Sequence, residues 1–266
     1  VEELITHAIT HKKVDVFLQP VVSLPQRHNA YYETFARIRA KAGVYLAASR
    51  YLDLAQSKGL MTDIDTLLLE QSLMTIDQHI KTSATLDGFF VNISTNTLQN
   101  RNYMRKLLGY LQQRKTLAHS LIFEIRQQDF LDISIPTLRV IGGLAQLGCR
   151  FSLDNIHDLK SLNKDISDFK RMRIEFVKMS AATIISASKN EKSWQALTNL
   201  KSRLKTNGVN IVAERISDEN TLRRILDINP QYGQGYLFGK PELGGAYLPK
   251  NPQDSNISIF KKTGTQ

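Results

Sequence analysis

The chain reads as an α/β protein, a modified TIM (β/α) barrel built as a single domain. Three observations predict this. Short apolar runs end repeatedly in one polar or charged residue: Phe89-Phe90-Val91 at Asn92, Leu121-Ile122-Phe123 at Glu124, Phe151-Ser152-Leu153 at Asp154, Phe176-Val177 at Lys178, Ile211-Val212-Ala213 at Glu214, Tyr232-Gly233 at Gln234. Upstream, Tyr31-Tyr32 ends at Glu33 in the same way. Intervals of 32, 30, 24, 36 and 20 residues separate the six tips from Asn92 to Gln234, each long enough for one helix. Strand, polar tip and helix in repetition are how such a barrel gathers its chemistry at the C-terminal ends of its strands.

The helices follow from periodicity and punctuation. Leu46 to Lys58 is amphipathic and stops at Gly59, a common C-terminal residue. Ile64 to Ile80 repeats Leu and Ile at helical spacing, and Tyr103 to Leu117 puts Leu107, Leu108 and Leu111 on one stripe. Pro136 suits a helix start and Gly148 its end. Glu191 to Lys205 ends near Gly208. Asp218 to Ile228 follows Ser217, an expected N-cap. The leucine stripes are core, because barrel helices bury one face. No repeat of fixed period and no linker interrupts the pattern. The barrel domain is expected over 1–250, with 251–266 a polar, flexible tail.

Composition bounds the function. A length of 266 residues suits one large α/β barrel. Cys149 is the single cysteine, in an apolar setting, which excludes an internal disulfide and suits a reducing, cytoplasmic location. No apolar stretch reaches the roughly 18 residues of a membrane span, and no secretory signal is visible. The chain begins at Val1, so a longer parent carrying membrane or sensor segments stays open, and membrane contact is expected only through such segments. The net charge is +10, from 35 basic and 25 acidic residues, which favours an anionic partner. Lys170, Arg171 and Arg173 cluster, as do Lys201, Arg203 and Lys205, in the manner of solvated helix faces. No zinc-finger or RNA-binding signature accompanies them, so nucleic acid is not the expected partner. His157-Asp158 reads as polar loop, since a catalytic role needs geometry that sequence does not supply.

Glu33, Glu124, Asp154 and Glu214 are expected to meet at the barrel mouth, with Asn92 beside them. Four converging carboxylates repel one another and need a cation, a lysine or protonation to coexist. Lys178 supplies one positive charge. A hard divalent ion, Mg²⁺, Mn²⁺ or Ca²⁺, would supply two and prefers such oxygen ligands.

The motifs resemble those of the EAL domain family, the cyclic-di-GMP phosphodiesterases of bacterial signalling, from about Asp15 to Glu242. Gln19-Pro20-Val21-Val22 is similar to the family's opening strand, and Glu33-Thr34-Phe35-Ala36-Arg37 stands where the family has Glu-Ala-Leu-x-Arg. Leu54-Ala55-Gln56 and Gly59-Leu60 to Ile64-Asp65 follow. Val91-Asn92-Ile93-Ser94, Phe123-Glu124-Ile125, Leu153-Asp154, Val177-Lys178, Ala213-Glu214, Gln234-Gly235-Tyr236 and Lys240-Pro241 complete the series in order. The resemblance implies that Glu33, Asn92, Glu124 and Asp154 are ligands of a first metal. It implies that Lys178 and Glu214 position or activate a water. It also implies that Gln19, Glu33, Phe35, Arg37, Asp65, Gln234 and Pro241 line a dinucleotide pocket. Arg37 suits a phosphate clamp, because a guanidinium bonds two oxygens at once, and Asp65 suits a guanine edge.

The departures from the family pattern shape the expected function. Its second aspartate is Asn155 here, and a neutral amide cannot help hold a second ion. Its glycine-rich loop reads Ile156-His157-Asp158-Leu159-Lys160, with less conformational freedom. Arg126-Gln127 removes a carboxylate that anchors this loop in active relatives. Lys178-Met179-Ser180 and Glu214-Arg215-Ile216-Ser217 each lack a further acid. The expectation is a catalytically inactive or impaired EAL domain. It acts as a cyclic-di-GMP receptor and regulates a protein partner or the rest of its parent. The alternatives are a ligand-free interaction scaffold and an active metal-dependent phosphodiesterase. A homodimer of the kind found in the family stays open.

Overall fold

The computed structural model describes residues 2–46, 51–82 and 86–244. The strands in chain order are β1 (Val14–Ser23), β2 (Asn29–Lys41), β3 (Val44–Tyr45), β4 (Gly88–Asn92), β5 (Leu121–Arg126), β6 (Arg150–Asp154), β7 (Ile174–Ser180), β8 (Asn210–Glu214), β9 (Tyr232–Gln234) and β10 (Glu242–Leu243). Eight of them close a ring, with β3 and β10 as short additions beside β2 and β1. From β2 through β4 to β9 neighbouring strands pair in parallel. β1 completes the ring antiparallel to both β2 and β9. This is the modification of the expected barrel, and its cause is local. Only residues 24–28 join β1 to β2. A parallel crossover needs a dozen residues or more, so the connection folds as a hairpin.

Parallel strands covered on both faces read as continuous apolar runs, and β4 and β5 do so up to Asn92 and Glu124, while β8 opens on Asn210 and β6 opens on Arg150 and carries a buried Ser152. The largest apolar cluster lies between the ring and its outer helices. A smaller one, built from Val21, Tyr31, Phe90, Ile122, Phe176 and Val212, fills the barrel interior below the tips. Tyr31, Phe90 and Phe176 meet edge to face at 5.1–5.5 Å, and the Arg150 guanidinium lies 5.6 Å from the Tyr31 ring. The interior is thus packed, and the polar groups are left to the C-terminal end.

Several expected helices appear, with corrections. Ile64 to Ile80 lies within Met61–Thr82. Ile135–Gln146 starts with Pro136 in its first turn, and Gly148 beyond its end has φ 101°. Glu191–Thr206 is one helix, followed by Gly208 at φ 73°. Of Leu46 to Lys58 the described helix is Leu52–Ser57: Leu46 is not helical, Tyr51 and Lys58 cap the helix, and 47–50 lie outside the described residues. Tyr103 to Leu117 is two helices, Arg101–Gln112 and Lys115–Ser120, separated at Gln113 and Arg114. The N-cap of Glu219–Ile225 is Asp218, not Ser217. The Asp218 carboxylate accepts from Thr221 N, while Ser217 donates to Asp218. A carboxylate at that cap also offsets the positive helix end, which a hydroxyl does not. Helices also form at Glu2–Thr10, Leu159–Met172 and Ala181–Ser188. Lys170 and Arg171 are the last-turn residues of the second. The expected tail, 251–266, lies outside the described residues. Among those residues no helix is long and apolar enough to cross a membrane.

The turn after β9 is tightly fixed. Gly235 has φ 154°, and a Cβ there would collide with the Ile216 backbone. Ile216 N donates to Gln234 O, and Leu237 N donates to Ile216 O. Gly235→Ala should lower stability by about 2 kcal/mol or more, by overpacking and backbone strain. The check is denaturant unfolding; a change under about 0.5 kcal/mol would disprove this close approach.

Candidate active-site mouth around a buried lysine

Strand register brings the site together. Gln19 pairs with Glu33 across β1–β2, and Val21 with Gln234 across β1–β9. Asn92 is level with Glu124, Arg126 with Asp154, and Ser180 with Glu214. Lys178, from β7, stands inside this ring with its side chain fully buried. Its Nζ donates to Glu33 Oε2 at 2.7 Å and to Gln234 Oε1 at 3.3 Å. It lies 2.7 Å from Glu124 Oε1, off the hydrogen-bond direction, and 3.7 Å from Glu214 Oε1. The Phe90 ring lies 4.5 Å beneath it. Gln234 Nε2 donates to Glu33 Oε2 and to Gln19 Oε1, and Gln19 Nε2 donates to Gly239 O. Two neutral amides therefore hold one face of the charged cluster.

The charges compete. Burial alone would push the Lys178 pKa down. Glu124, Glu33, Glu214 and Asp154 reverse this, and the ammonium is held well above its ordinary range. Burial pushes Glu124 well up, and neighbouring Glu33 adds to it while Lys178 opposes. Glu214 is pushed up to about 7 by burial, against Lys178 and with help from Asp154 and Glu33. One lysine does not neutralise four carboxylates, so protons make up part of the difference.

The donor chemistry suits one hard cation. Glu124 Oε2 is buried with no hydrogen-bond partner among the described residues. Glu33, Asn92, Glu124 and Asp154 offer the oxygen donors such an ion takes. They are the residues that would hold it. Their arrangement is another matter: among the described residues no three of His, Cys, Asp or Glu are disposed around a common metal position. The ammonium of Lys178 holds the focus of Glu33 and Glu124.

Asn155 is exposed with φ 55°, a left-handed conformation that Asn tolerates, and its N–H donates to Asp154 Oδ1 at 2.6 Å. The carboxylate that anchors this loop in active relatives is absent, and the buried Gln127 holds the loop. Its Oε1 accepts from His157 N and Asp158 N, both at 3.0 Å, and its Nε2 donates to Asp158 O at 2.6 Å. The amide keeps the two acceptor contacts of a carboxylate and adds a donor, so anchorage survives without charge.

Three adjoining cavities open at the mouth. A cavity of about 670 Å³ is lined by Gln19, Glu33, Phe35, Asp154, Glu214 and Gln234, with Arg126, Asn155, Ser180, Arg215, Ser217 and Tyr236 around them. A cavity of about 280 Å³ holds Asp65, Ser94 and Glu124, and Ser94 Oγ donates to Asp65 at 2.6 Å. Burial raises the Asp65 pKa. A cavity of about 550 Å³ holds Arg37, Tyr45 and Tyr51. Asn92 borders all three, and Phe35 divides the first from the third. Pro241 lines none of them. It is half-buried and leads into β10, which pairs with β1 beside Gln19. The mouth residues that the motifs leave without a role are Arg215, which directly follows a strand tip, and Ser94, which follows Asn92 by two.

The EAL domain profile matches residues 2–241, and the chain belongs to the EAL domain family. It is 22% identical over 240 residues to the cyclic di-GMP phosphodiesterase PdeA of Borreliella burgdorferi, covering 90% of this chain and 35% of that protein. It is 21% identical to the cyclic di-GMP phosphodiesterase PdeF of Escherichia coli, covering 88% and 31%. The chain thus spans about a third of the length of these curated relatives. In fold it is similar to the FimX EAL domain of Pseudomonas aeruginosa bound to c-di-GMP, with a TM-score of 0.74, 21% identity, and coverage of 91% and 96%.

Two measurements probe the cluster. Lys178→Met should lower stability by about 3–5 kcal/mol, because it leaves Glu33 and Glu124 without their cation. Denaturant unfolding checks this, and a change below about 1 kcal/mol would contradict the central ion cluster. Glu214 titrates near 7 in the fold against an ordinary 4.5, so between those values the folded chain keeps a proton that the unfolded chain has lost. The stability it contributes is full below pH 4.5 and falls as pH rises through 7. The thermal midpoint should therefore fall from about pH 5 to about pH 7.5, and Glu214→Gln should flatten that slope. Equal slopes in both proteins would assign the titration to another group.

Proposed function

We propose that this chain binds cyclic-di-GMP as a receptor and does not hydrolyse it efficiently. The neutral Asn155 carries the reading. It stands at the mouth next to Asp154, where the family motif has a second aspartate, while the cavity keeps Gln19, Glu33, Phe35 and Gln234. Loss of that charge weakens the hold on a second ion. Binding demands less, and Arg37 and Asp65 stay in the adjoining cavities for phosphate and guanine. The names of the relatives support the ligand: phosphodiesterases of cyclic di-GMP and an EAL domain bound to it. Glu33, Asn92, Glu124 and Asp154 are the proposed holders of one Mg²⁺, Mn²⁺ or Ca²⁺ ion. Lys178 stabilises their charge. Occupancy of the cavity then biases docking of a protein partner, or of the parent chain, by the ligand's differential affinity for the two states.

Glu214 favours a second reading, a metal-dependent phosphodiesterase. A carboxylate titrating near 7 can take a proton from water at neutral pH. A divalent ion, when bound, would supply charge to the attacked phosphate.

Titration calorimetry with cyclic-di-GMP should show saturable binding that Arg37→Ala weakens about tenfold or more, the cost of a charge-assisted contact. Chromatography after incubation with Mg²⁺ or Mn²⁺ should show no sustained product. Linear product formation abolished by Glu33→Ala would transfer the assignment to the enzyme. Absence of binding, by heat and by thermal shift, would leave a protein scaffold.

A further inference from the structure

Two arginines reach the mouth from the strand ends that face Asn155. Arg126 is the last residue of β5 and is level with Asp154 in the sheet. Arg215 follows Glu214 at the end of β8. Both line the same cavity as Asn155, Asp154 and Glu214. Their fields reach the buried acids: Arg126 opposes the burial of Asp65, and Arg215 opposes that of Glu214.

Arg215 is held in an uncommon backbone state. Its φ is 57°, the left-handed region that costs a side-chain-bearing residue energy and costs glycine little. Outliers of this kind persist where the surrounding structure holds them, and they cluster at functional sites. Here the hold is visible, since Ile216 is bonded through both N and O to the β9 turn at Gln234 and Leu237. A large cation is thus fixed over the cavity at a position that would fold more easily without it. Arg126 is braced differently. Its Nε donates to Asp129 at 2.8 Å, and a guanidinium carries four further N–H donors beyond that one.

The charge balance gives these residues a use. Glu33, Glu124, Asp154 and Glu214 are four carboxylates, set against Lys178 alone inside the barrel. With Arg126 and Arg215 the cations number three. Protons on the buried carboxylates and the pairing of Arg126 with Asp129 enter the same balance, and both guanidinium groups line the cavity a phosphate would enter. Guanidinium matches phosphate oxygens in pairs, which a neutral Asn cannot do.

We propose that Arg126 and Arg215 bind the phosphate groups of the nucleotide directly, so that binding needs neither the first-site ion nor a second one. This rests on the receptor reading above. The test is calorimetric titration of cyclic-di-GMP into the full chain, once in excess EDTA and once in Mg²⁺. Wild type should saturate in both, within about threefold in affinity. Arg126→Gln with Arg215→Gly should weaken binding in EDTA by about tenfold to a hundredfold, the range of lost charge-assisted contacts. Arg215→Gly alone should keep or raise the thermal midpoint, because glycine relieves the backbone, so weaker binding is not unfolding. Saturation of wild type only with Mg²⁺, or unchanged binding of the double variant in EDTA, would overturn the arginine role and leave the receptor reading standing. Absence of saturation in both buffers would remove the receptor reading, and this inference with it.

Discussion

The ammonium of Lys178 is the constraint on which the mouth depends. It is buried among Glu33, Glu124 and Glu214, carboxylates brought in by three different strands. Taking a charge out of water is costly, and the fold recovers this only because the carboxylates are equally buried and close. The arrangement in turn requires Glu33, Glu124 and Glu214, carried by β2, β5 and β8, to stand at matching heights, although β2 itself runs on to Lys41. Barrel register is therefore tied to electrostatics here. A slip by one residue would turn Lys178 outwards and leave the acids facing one another.

Much of this was legible in the chain. Asn92, Glu124, Asp154, Lys178, Glu214 and Gln234 each end or nearly end an apolar run, and each lies on the strand that run becomes. Apolar runs sufficed, because strands covered on both faces carry few polar residues before their ends, Ser152 within β6 being an exception. Other features were not legible. The reversed direction of β1 depends on a short connection, which a list of apolar runs does not weigh. The break at Gln113 and Arg114 lies in a leucine pattern that continues across it. Three cavities in place of one pocket arise from where Phe35 and Asn92 stand in space. The capping role of Asp218 over Ser217 is a choice between adjacent residues that only backbone geometry makes.

Gln127 shows why residue type is a poor guide to anchorage. A carboxylate and an amide differ in charge but share an acceptor oxygen. The loop needs acceptors for two backbone N–H groups, and the amide provides one oxygen that serves both. What is lost is the coupling between the loop and the charge state of the mouth. A carboxylate there would respond to an arriving cation; the amide does not. The site of this chain can thus be structurally intact at the loop and still electrically altered at Asn155.

The antiparallel course of β1 has a mechanical consequence. Because it runs against its neighbours, β1 starts at the open end of the barrel and finishes at the closed one. The helix Glu2–Thr10 before it accordingly packs near the mouth, where Ile5 and Ala8 share a cluster with Ile38, Tyr51 and Ile64. Ile38 adjoins Arg37 on β2, and Tyr51 borders the Arg37 cavity. A displacement of that first helix would therefore be felt both in the helix Met61–Thr82 and at the rim of the Arg37 cavity.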